Sequence, residues 1–233
     1  MTCPSAWYPV ALSNGLEPGR SAGTRVFDRE LCIWRDADGI AHAWEDRCPH
    51  RGMRLSFGFV RGNHIACLYH GWQYDTNGQC RFIPSHPALD VPSTICVPTY
   101  PCVERLGMVW IYLDRDVAAT PDLPIEARDV TPVRSLYVDC APDAVLRELA
   151  AGAEDVGSAG LVLLSLDAGG QKLLAGFQPF GKAKTALHIL LPGGTGRAPA
   201  RRAAAIWAEE LRRDLERGAN ATAVPEAMHE AAP

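Results

Sequence analysis

Between Trp7 and Leu113, apolar residues come in short runs broken by turn signals. Trp7–Leu12 mixes aromatic and β-branched residues. Leu31–Trp34 and Ile40–Trp44 flank Asp36-Ala37-Asp38-Gly39, and Gly71–Tyr74 and Gln79–Ile83 flank Asp75-Thr76-Asn77-Gly78. Val103–Arg105 and Met108–Leu113 flank Leu106-Gly107. Strand-type runs separated by Gly-containing breaks predict hairpins. Their repetition predicts a small antiparallel β-sandwich over residues 1–120.

After this the pattern changes. Residues 121–132 hold three prolines (Pro121, Pro124, Pro132) and several acids, which reads as a linker. Val133–Cys140 is strand-like. Pro142–Ala151 is helix-like, with Pro at the start and Asp143 in the first turn. Leu161–Leu166, Lys172–Phe177 and Thr185–Leu191 read as strands. In Arg201–Arg217, Ala204, Trp207, Leu211 and Leu215 recur three and four apart, the period of an amphipathic helix with one packed face. Glu209 and Arg213 fall on its solvated side. Gly218 is the expected stop, and residues 219–233 are expected to form a mobile tail. The expected organisation is thus a β-rich domain followed by a smaller α+β domain over residues 133–218.

Composition narrows the class. The 233 residues are 47% hydrophobic and 21% charged, with a formal net charge of −4. That is a globular composition without the basic excess that phosphate binding requires, so nucleic acid is not an expected partner. No apolar run reaches the length of a membrane span, and the first residues do not read as a signal peptide. A cytoplasmic location follows, where the 8 Cys are read as metal ligands or buried apolar groups before disulfides.

Four residues carry the candidate chemistry. Cys48-Pro49-His50-Arg51-Gly52 and Cys67-Leu68-Tyr69-His70-Gly71-Trp72 each present one thiol and one imidazole. A Cys₂His₂ zinc site uses the same donors. A Rieske-type [2Fe–2S] centre also uses two Cys and two His, with the histidines on one iron. Gly52 and Gly71 allow each loop to turn tightly. The donors sit at hairpin ends with no finger helix after the second pair, which favours the iron–sulfur reading. Arg51, Gly52, Gly71 and Trp72 are taken with Cys48, His50, Cys67 and His70 as the cofactor-binding set.

With these stretches, and with Tyr100-Pro101-Cys102-Val103-Glu104-Arg105 leading into Gly107-Met108-Val109-Trp110, residues from about 7 to 125 resemble the Rieske domain of Rieske non-haem iron oxygenases. The likeness is to the vanillate O-demethylase and phthalate-oxygenase-like group. The resemblance implies that Cys48 and Cys67 hold one iron, and His50 and His70 the other. Met53 and Tyr69 stand where respiratory-type Rieske proteins carry an extra disulfide, and Trp72 stands where they carry a cluster-bonding Ser. Fewer hydrogen bonds to sulfur imply a potential near the low end of the Rieske range, roughly −150 mV.

In that family a second domain holds a mononuclear iron on two histidines and a carboxylate. After Asp114 this chain has only His188 and His229, 41 positions apart. His188 is a weak catalytic candidate within a regular strand-like run, so a mononuclear iron is not expected. The order of elements is compatible with a shortened helix-grip domain. Three functions remain: an electron-transfer component of a Rieske oxygenase system, a terminal monooxygenase or O-demethylase of a small aromatic with an atypical iron site, or a non-catalytic partner or regulatory subunit. No flavin or nicotinamide fingerprint is present, so electrons are expected from a reductase or ferredoxin. An oxygenase partner subunit or a homo-oligomer is the expected assembly.

Overall fold

In the computed structural model, residues 5–114, 120–121, 123, 129–157, 160–166, 171–193 and 198–222 are described. The first half forms β1 (Trp7–Leu12), β2 (Ser21–Val26), β3 (Arg29–Arg35), β4 (Ala41–Glu45), β5 (Phe59–Arg61), β6 (His64–Ala66), β7 (Gln73–Asp75), β8 (Cys80–Phe82), β9 (Thr99–Tyr100), β10 (Cys102–Arg105) and β11 (Met108–Tyr112). The second half forms β12 (Val130–Val138), α1 (Pro142–Ala151), β13 (Ala153–Val156), β14 (Leu161–Ser165), β15 (Lys172–Gly181), β16 (Lys184–Pro192) and α2 (Ala198–Thr222).

Three antiparallel sheets make up the first half, in the orders β1-β11-β10, β2-β3-β4-β9 and β5-β6-β7-β8. The expected hairpins are present, and their turns explain them. Leu106 and Gly107 both adopt positive φ (50° and 67°), as a two-residue type I′ turn requires. In the β7–β8 turn, the Asp75 carboxylate accepts from the N–H groups of Asn77 and Gln79. Strands β2, β5, β6 and β9 were not expected. They are short or interrupted by Gly and charged residues, so neither alternation nor apolar runs mark them.

The second half is a five-stranded antiparallel sheet ordered β12-β16-β15-β14-β13. Alternate residues of β16 divide between its faces. Leu187, Ile189 and Leu191 join Val145, Leu149, Ala204 and Ala208 in one core beneath α1 and α2. Leu190 turns the other way and packs with Trp7, Leu12, Met108, Trp110, Leu161 and Leu174. This second core joins the halves. Gly176 of β15 lets it close, because a Cβ there would lie 2.6 Å from Met108 Sδ. The architecture is therefore the expected β-rich domain with a shortened helix-grip part, helices on one face of the sheet only.

Several boundaries differ from expectation. β12 begins at Val130, inside the expected linker, because its early residues pair with the end of β16 (Val130 with Pro192, Thr131 with Leu191). Much of the remaining linker lies outside the described residues. Edge strand β13 was missed, since Ala153-Glu154-Asp155-Val156 lacks an apolar pattern. Gly218 does not stop α2, which runs on to Thr222. A single helical Gly costs only about 1 kcal/mol, and the flanking Arg217 and Ala219 favour continuation. The rest of the expected tail, with His229, lies outside the described residues.

Candidate metal centre

Two loops of matching backbone geometry build the site. One joins β4 to a short 3₁₀ turn at Leu55–Phe57, and the other joins β6 to β7. In the first, Cys48 N–H donates to Met53 O (2.8 Å) and Gly52 N–H to Cys48 O (2.9 Å). In the second, Cys67 N–H donates to Trp72 O (2.8 Å) and Gly71 N–H to Cys67 O (3.0 Å). Each loop thus has Cys at its first position and Gly at its fifth. Gly52 and Gly71 have φ of 73° and 71°, the left-handed region that other residues enter at a cost. At Gly71 a side chain would also meet Pro84 Cγ at 3.0 Å, whereas nothing lies within 4 Å at Gly52.

The first loop is anchored from below. Buried Asp46 accepts from Ser56 N–H (2.8 Å) and Ser56 Oγ (2.7 Å). Arg54 pairs with Glu30, which also takes Arg25. The Arg25 hydrogen bond, with a contribution from Arg54, holds the Glu30 carboxyl below its ordinary range.

Cys48 and Cys67 are buried side by side in a core that includes Leu55, Ile65, Tyr74 and Ile83. The Cys67 thiol hydrogen-bonds Cys48 and pulls its pKa down, with help from Tyr74 and the N–H groups of His50 and Arg51, while Cys67 itself is pushed up. Tyr74 Oη lies 3.1 Å from Cys48 Sγ, and Tyr74 is fully buried. Its inward aim follows from β7, where Gln73 and Asp75 point away on either side. Tyr74 falls inside the motif, but no role for it was read from the sequence. Strand alternation is the signal that could have found it.

The imidazoles form the rim. His50 is half-buried and His70 is exposed, with ring centroids 4.7 Å apart and edge to face. Trp72 stacks on His50 at 4.3 Å and 7°, and Tyr69 stacks on His70 at 3.9 Å. Trp72 therefore acts through His50, and the stacking of Tyr69 on His70 is a contact the sequence reading of Tyr69 did not include. Arg51 is exposed and makes no ion pair among the described residues.

Two buried thiols at the base and two imidazoles at the rim are the donor set of a two-iron Rieske centre. A tetrahedral zinc site needs its ligands to converge on one ion. Among the described residues no three His, Cys, Asp or Glu groups do so. The residues present therefore fit the cluster better than a single ion.

His188 is elsewhere. It lies on β16, on the face turned toward β1 and β2, away from α1 and α2. Its Nδ1 accepts from Ser135 Oγ (2.8 Å), and its Nε2 donates to Gln178 Oε1 (2.9 Å). Burial holds its pKa down to about 4. With both nitrogens engaged by neutral partners, the catalytic candidacy of His188 finds no support. The remaining described cysteines are free. Cys32 and Cys80 are buried in β3 and β8, Cys140 is buried, Cys96 is exposed, and burial pushes the Cys102 thiol up to about 12.

Residues 6–101, which contain both loops of the site, match the family described as "Rieske [2Fe-2S] domain". The relatives of this domain are Rieske non-haem iron oxygenases and oxidoreductases allied to them. The chain is 34% identical over 148 residues to the oxidoreductase NdmD of Pseudomonas putida, a match covering 61% of this chain and 25% of that protein. It is 39% identical over 110 residues to the 4beta-methylsterol monooxygenase of Methylococcus capsulatus, covering 46% of this chain and 29% of that one. The oxygenase component of dicamba O-demethylase from Stenotrophomonas maltophilia is 36% identical over 117 residues, covering 50% of this chain and 34% of it. The matched stretch thus spans a quarter to a third of these relatives. In fold the likeness runs further. Dicamba monooxygenase superposes with a TM-score of 0.75 at 22% identity, covering 94% of this chain and 88% of that chain.

No helix among the described residues is long and apolar enough to cross a membrane.

Proposed function

We propose that this chain is an electron-transfer component of a Rieske-type oxygenase system, held in the cytoplasm and working with an oxygenase partner subunit. The observation that carries this reading is the contrast between its two halves. All four cluster donors are assembled, while His188, the one described histidine of the second half, is turned away from the helix face and tied to Ser135 and Gln178. Bound at Cys48, Cys67, His50 and His70, the cluster supplies one-electron redox chemistry. The chain's own residues do the rest. Trp72 and Tyr69 fix the two imidazoles, and Tyr74 hydrogen-bonds a ligand sulfur in a dry environment. His70 stands exposed where a reductase or ferredoxin can approach. Arg47 and Arg51, both exposed on the loop that carries His50, favour an acidic donor surface.

The alternative is a terminal monooxygenase or demethylase with an atypical iron site. Iron and acid-labile sulfide content separates the two readings. Two irons and two sulfides per chain, with reversible reduction but no substrate-dependent O₂ uptake after Fe(II) is added, is the expected result. A third tightly held iron, or O₂ uptake with an aromatic ether, overturns it.

A further inference from the structure

The sheet β5-β6-β7-β8 has one face in the cluster core and one face turned outward. Val60 and Ile65, paired across β5 and β6, point into the core that holds Cys48 and Cys67. Alternation then turns the pairs on either side, Phe59 with Ala66 and Arg61 with His64, outward. Gly58, just before β5, lies hard against β6, since a Cβ there would sit 2.7 Å from Ala66 O. Its neighbours in the chain, Phe57 and Phe59, are both exposed. Beyond Ala66 the chain enters the second cluster loop, where Leu68 and Tyr69 are exposed and Tyr69 stacks on His70.

Phe57, Phe59, Leu68 and Tyr69 are thus 46–60% exposed and are joined through one cross-strand pair and one loop. β5 is the edge of its sheet, and among the described residues no strand lies beyond it. Large apolar groups gathered on one surface mark a contact face.

Charge selects the partner. From Arg47 to Tyr74 the sequence has four arginines and no Asp or Glu, in a chain whose net charge is −4. Arg54 is spent on Glu30. Arg47, Arg51 and Arg61 are exposed and form no ion pair among the described residues. Arg61 lies over the Phe59 ring at 5.9 Å, so charge and apolar surface meet on β5. Of the neighbouring acids, Asp46 is buried on Ser56, Asp75 pairs with Arg81, and Glu45 is half-buried on β4. Asp38 reaches only the β5–β6 turn, through Asn63 (2.6 Å). Two copies of this chain meeting through this face would set arginines against arginines, and like charges across an interface cost several kcal/mol.

We propose that Phe57, Phe59, Leu68 and Tyr69, with Arg51 and Arg61, form the docking face for the electron donor, an acidic redox protein whose contact surface has an apolar centre. The proposal rests on the electron-transfer reading and extends the contact from the cluster loops to the β5 edge. Carboxylates on the donor are steered to the arginines. Burial of the aromatics then holds the donor beside His70 while it gives up one electron and the cluster gains it.

The test uses the full chain with its cluster loaded, kept anaerobic. The probe is a pre-reduced plant-type [2Fe–2S] ferredoxin, an acidic protein, and dithionite serves as a small reductant that needs no docking face. Cluster reduction is followed in the visible band by stopped flow. Reduction of the parent by ferredoxin should saturate and should weaken as salt rises. The double variant Phe57→Ser and Phe59→Ser should raise the ferredoxin concentration giving half the maximal rate about tenfold, with the dithionite rate unchanged. Arg61→Glu should raise it also and flatten the salt dependence. Ile206→Ser, an equally exposed apolar position on α2, should leave it unaltered. Should the double serine variant lose its cluster, Arg61→Glu carries the test alone. The electron-transfer reading fails if dithionite does not reduce the cluster reversibly. The docking face alone is overturned if dithionite reduces the parent but ferredoxin does not do so saturably, or if the serine and Arg61 variants match the parent. A dimer in sedimentation that the serine variant turns into a monomer would make the face a self-contact and overturn the proposal too.

Discussion

Replacing Tyr74 by Phe removes one oxygen and leaves the ring in place. In the structure that oxygen lies 3.1 Å from Cys48 Sγ, and no water can take its place because Tyr74 and Cys48 are both buried. A hydrogen bond to a charged group contributes about 1.5–3 kcal/mol net. Reduction adds negative charge that reaches the ligand sulfurs, so the bond is stronger in the reduced state. If about 1 kcal/mol of the bond's strength depends on that added charge, and about 59 mV corresponds to 1.4 kcal/mol for one electron, the midpoint potential falls by about 40 mV. The measurement is a spectroelectrochemical titration of Tyr74→Phe against the parent, with the visible spectrum confirming a full cluster in both. An unchanged or higher potential with an intact cluster would refute the argument. The expectation of a low potential, drawn from Trp72 in place of a Ser, is thereby modified. One hydrogen bond to sulfur is missing, but the Tyr74 bond is present.

Cys48→Ser and His70→Ala should lose the cluster's visible absorbance, while Cys102→Ser should keep it, since Cys102 lies in β10. Gly71→Ala should lower cluster content more than Gly52→Ala, because both enter a disfavoured φ at about 1–2 kcal/mol but only Gly71 faces Pro84. Glu104→Ala should cost about 3 kcal/mol in urea unfolding, since it leaves the nearly buried Arg35 without its bidentate partner at 2.6 Å. His188, with a folded pKa near 4 against an ordinary 6.5, binds its proton first in the unfolded chain. Stability should therefore be lost as pH falls from about 6.5 to 4, by about 3 kcal/mol in all. The carboxylates held low (Asp36, Glu30 and Glu104) weaken the fold only below their unfolded values near 4. Urea midpoints between pH 6.5 and 5 isolate the histidine, and a slope that survives His188→Gln there would contradict this.

How far the sequence could be read depended on whether information was local. The three hairpins rest on turns whose chemistry is contained in two to four residues, so Leu106-Gly107 and Asp75–Gly78 were legible. α1 was legible over its full length from Pro142 at its start and Asp143 in its first turn. β2 was not, because Ser-Ala-Gly-Thr-Arg-Val owes its place to pairing with β3 and to Gln178 reaching it from β15, 154 positions away from Thr24. The cluster donors were legible because a ligand set fixes residue type and spacing together. The division into two domains was legible only as a change of composition. The core shared by Trp110, Leu174 and Leu190, which makes the halves pack as one, has no signature in either half alone.

The motif Tyr100–Arg105 shows the same limit from the other side. Its residues support a resemblance without saying what they do. In the structure Glu104 closes both oxygens on Arg35, whose remaining N–H groups donate to the carbonyls of Ser13, Leu16 and Gly39. One guanidinium thus ties β10, the turn after β1 and the β3–β4 hairpin together. The β3–β4 hairpin leads directly through β4 into the Cys48 loop. The glutamate therefore supports the site at two removes, by fixing the strand that delivers Cys48 and His50. Glu104→Gln keeps the shape and one hydrogen bond but loses the charge. It should therefore destabilise the fold less than Glu104→Ala and leave the spectrum of the loaded protein unchanged. If Glu104→Gln instead altered the visible spectrum of the folded protein, the glutamate would have to act on the cluster loops directly.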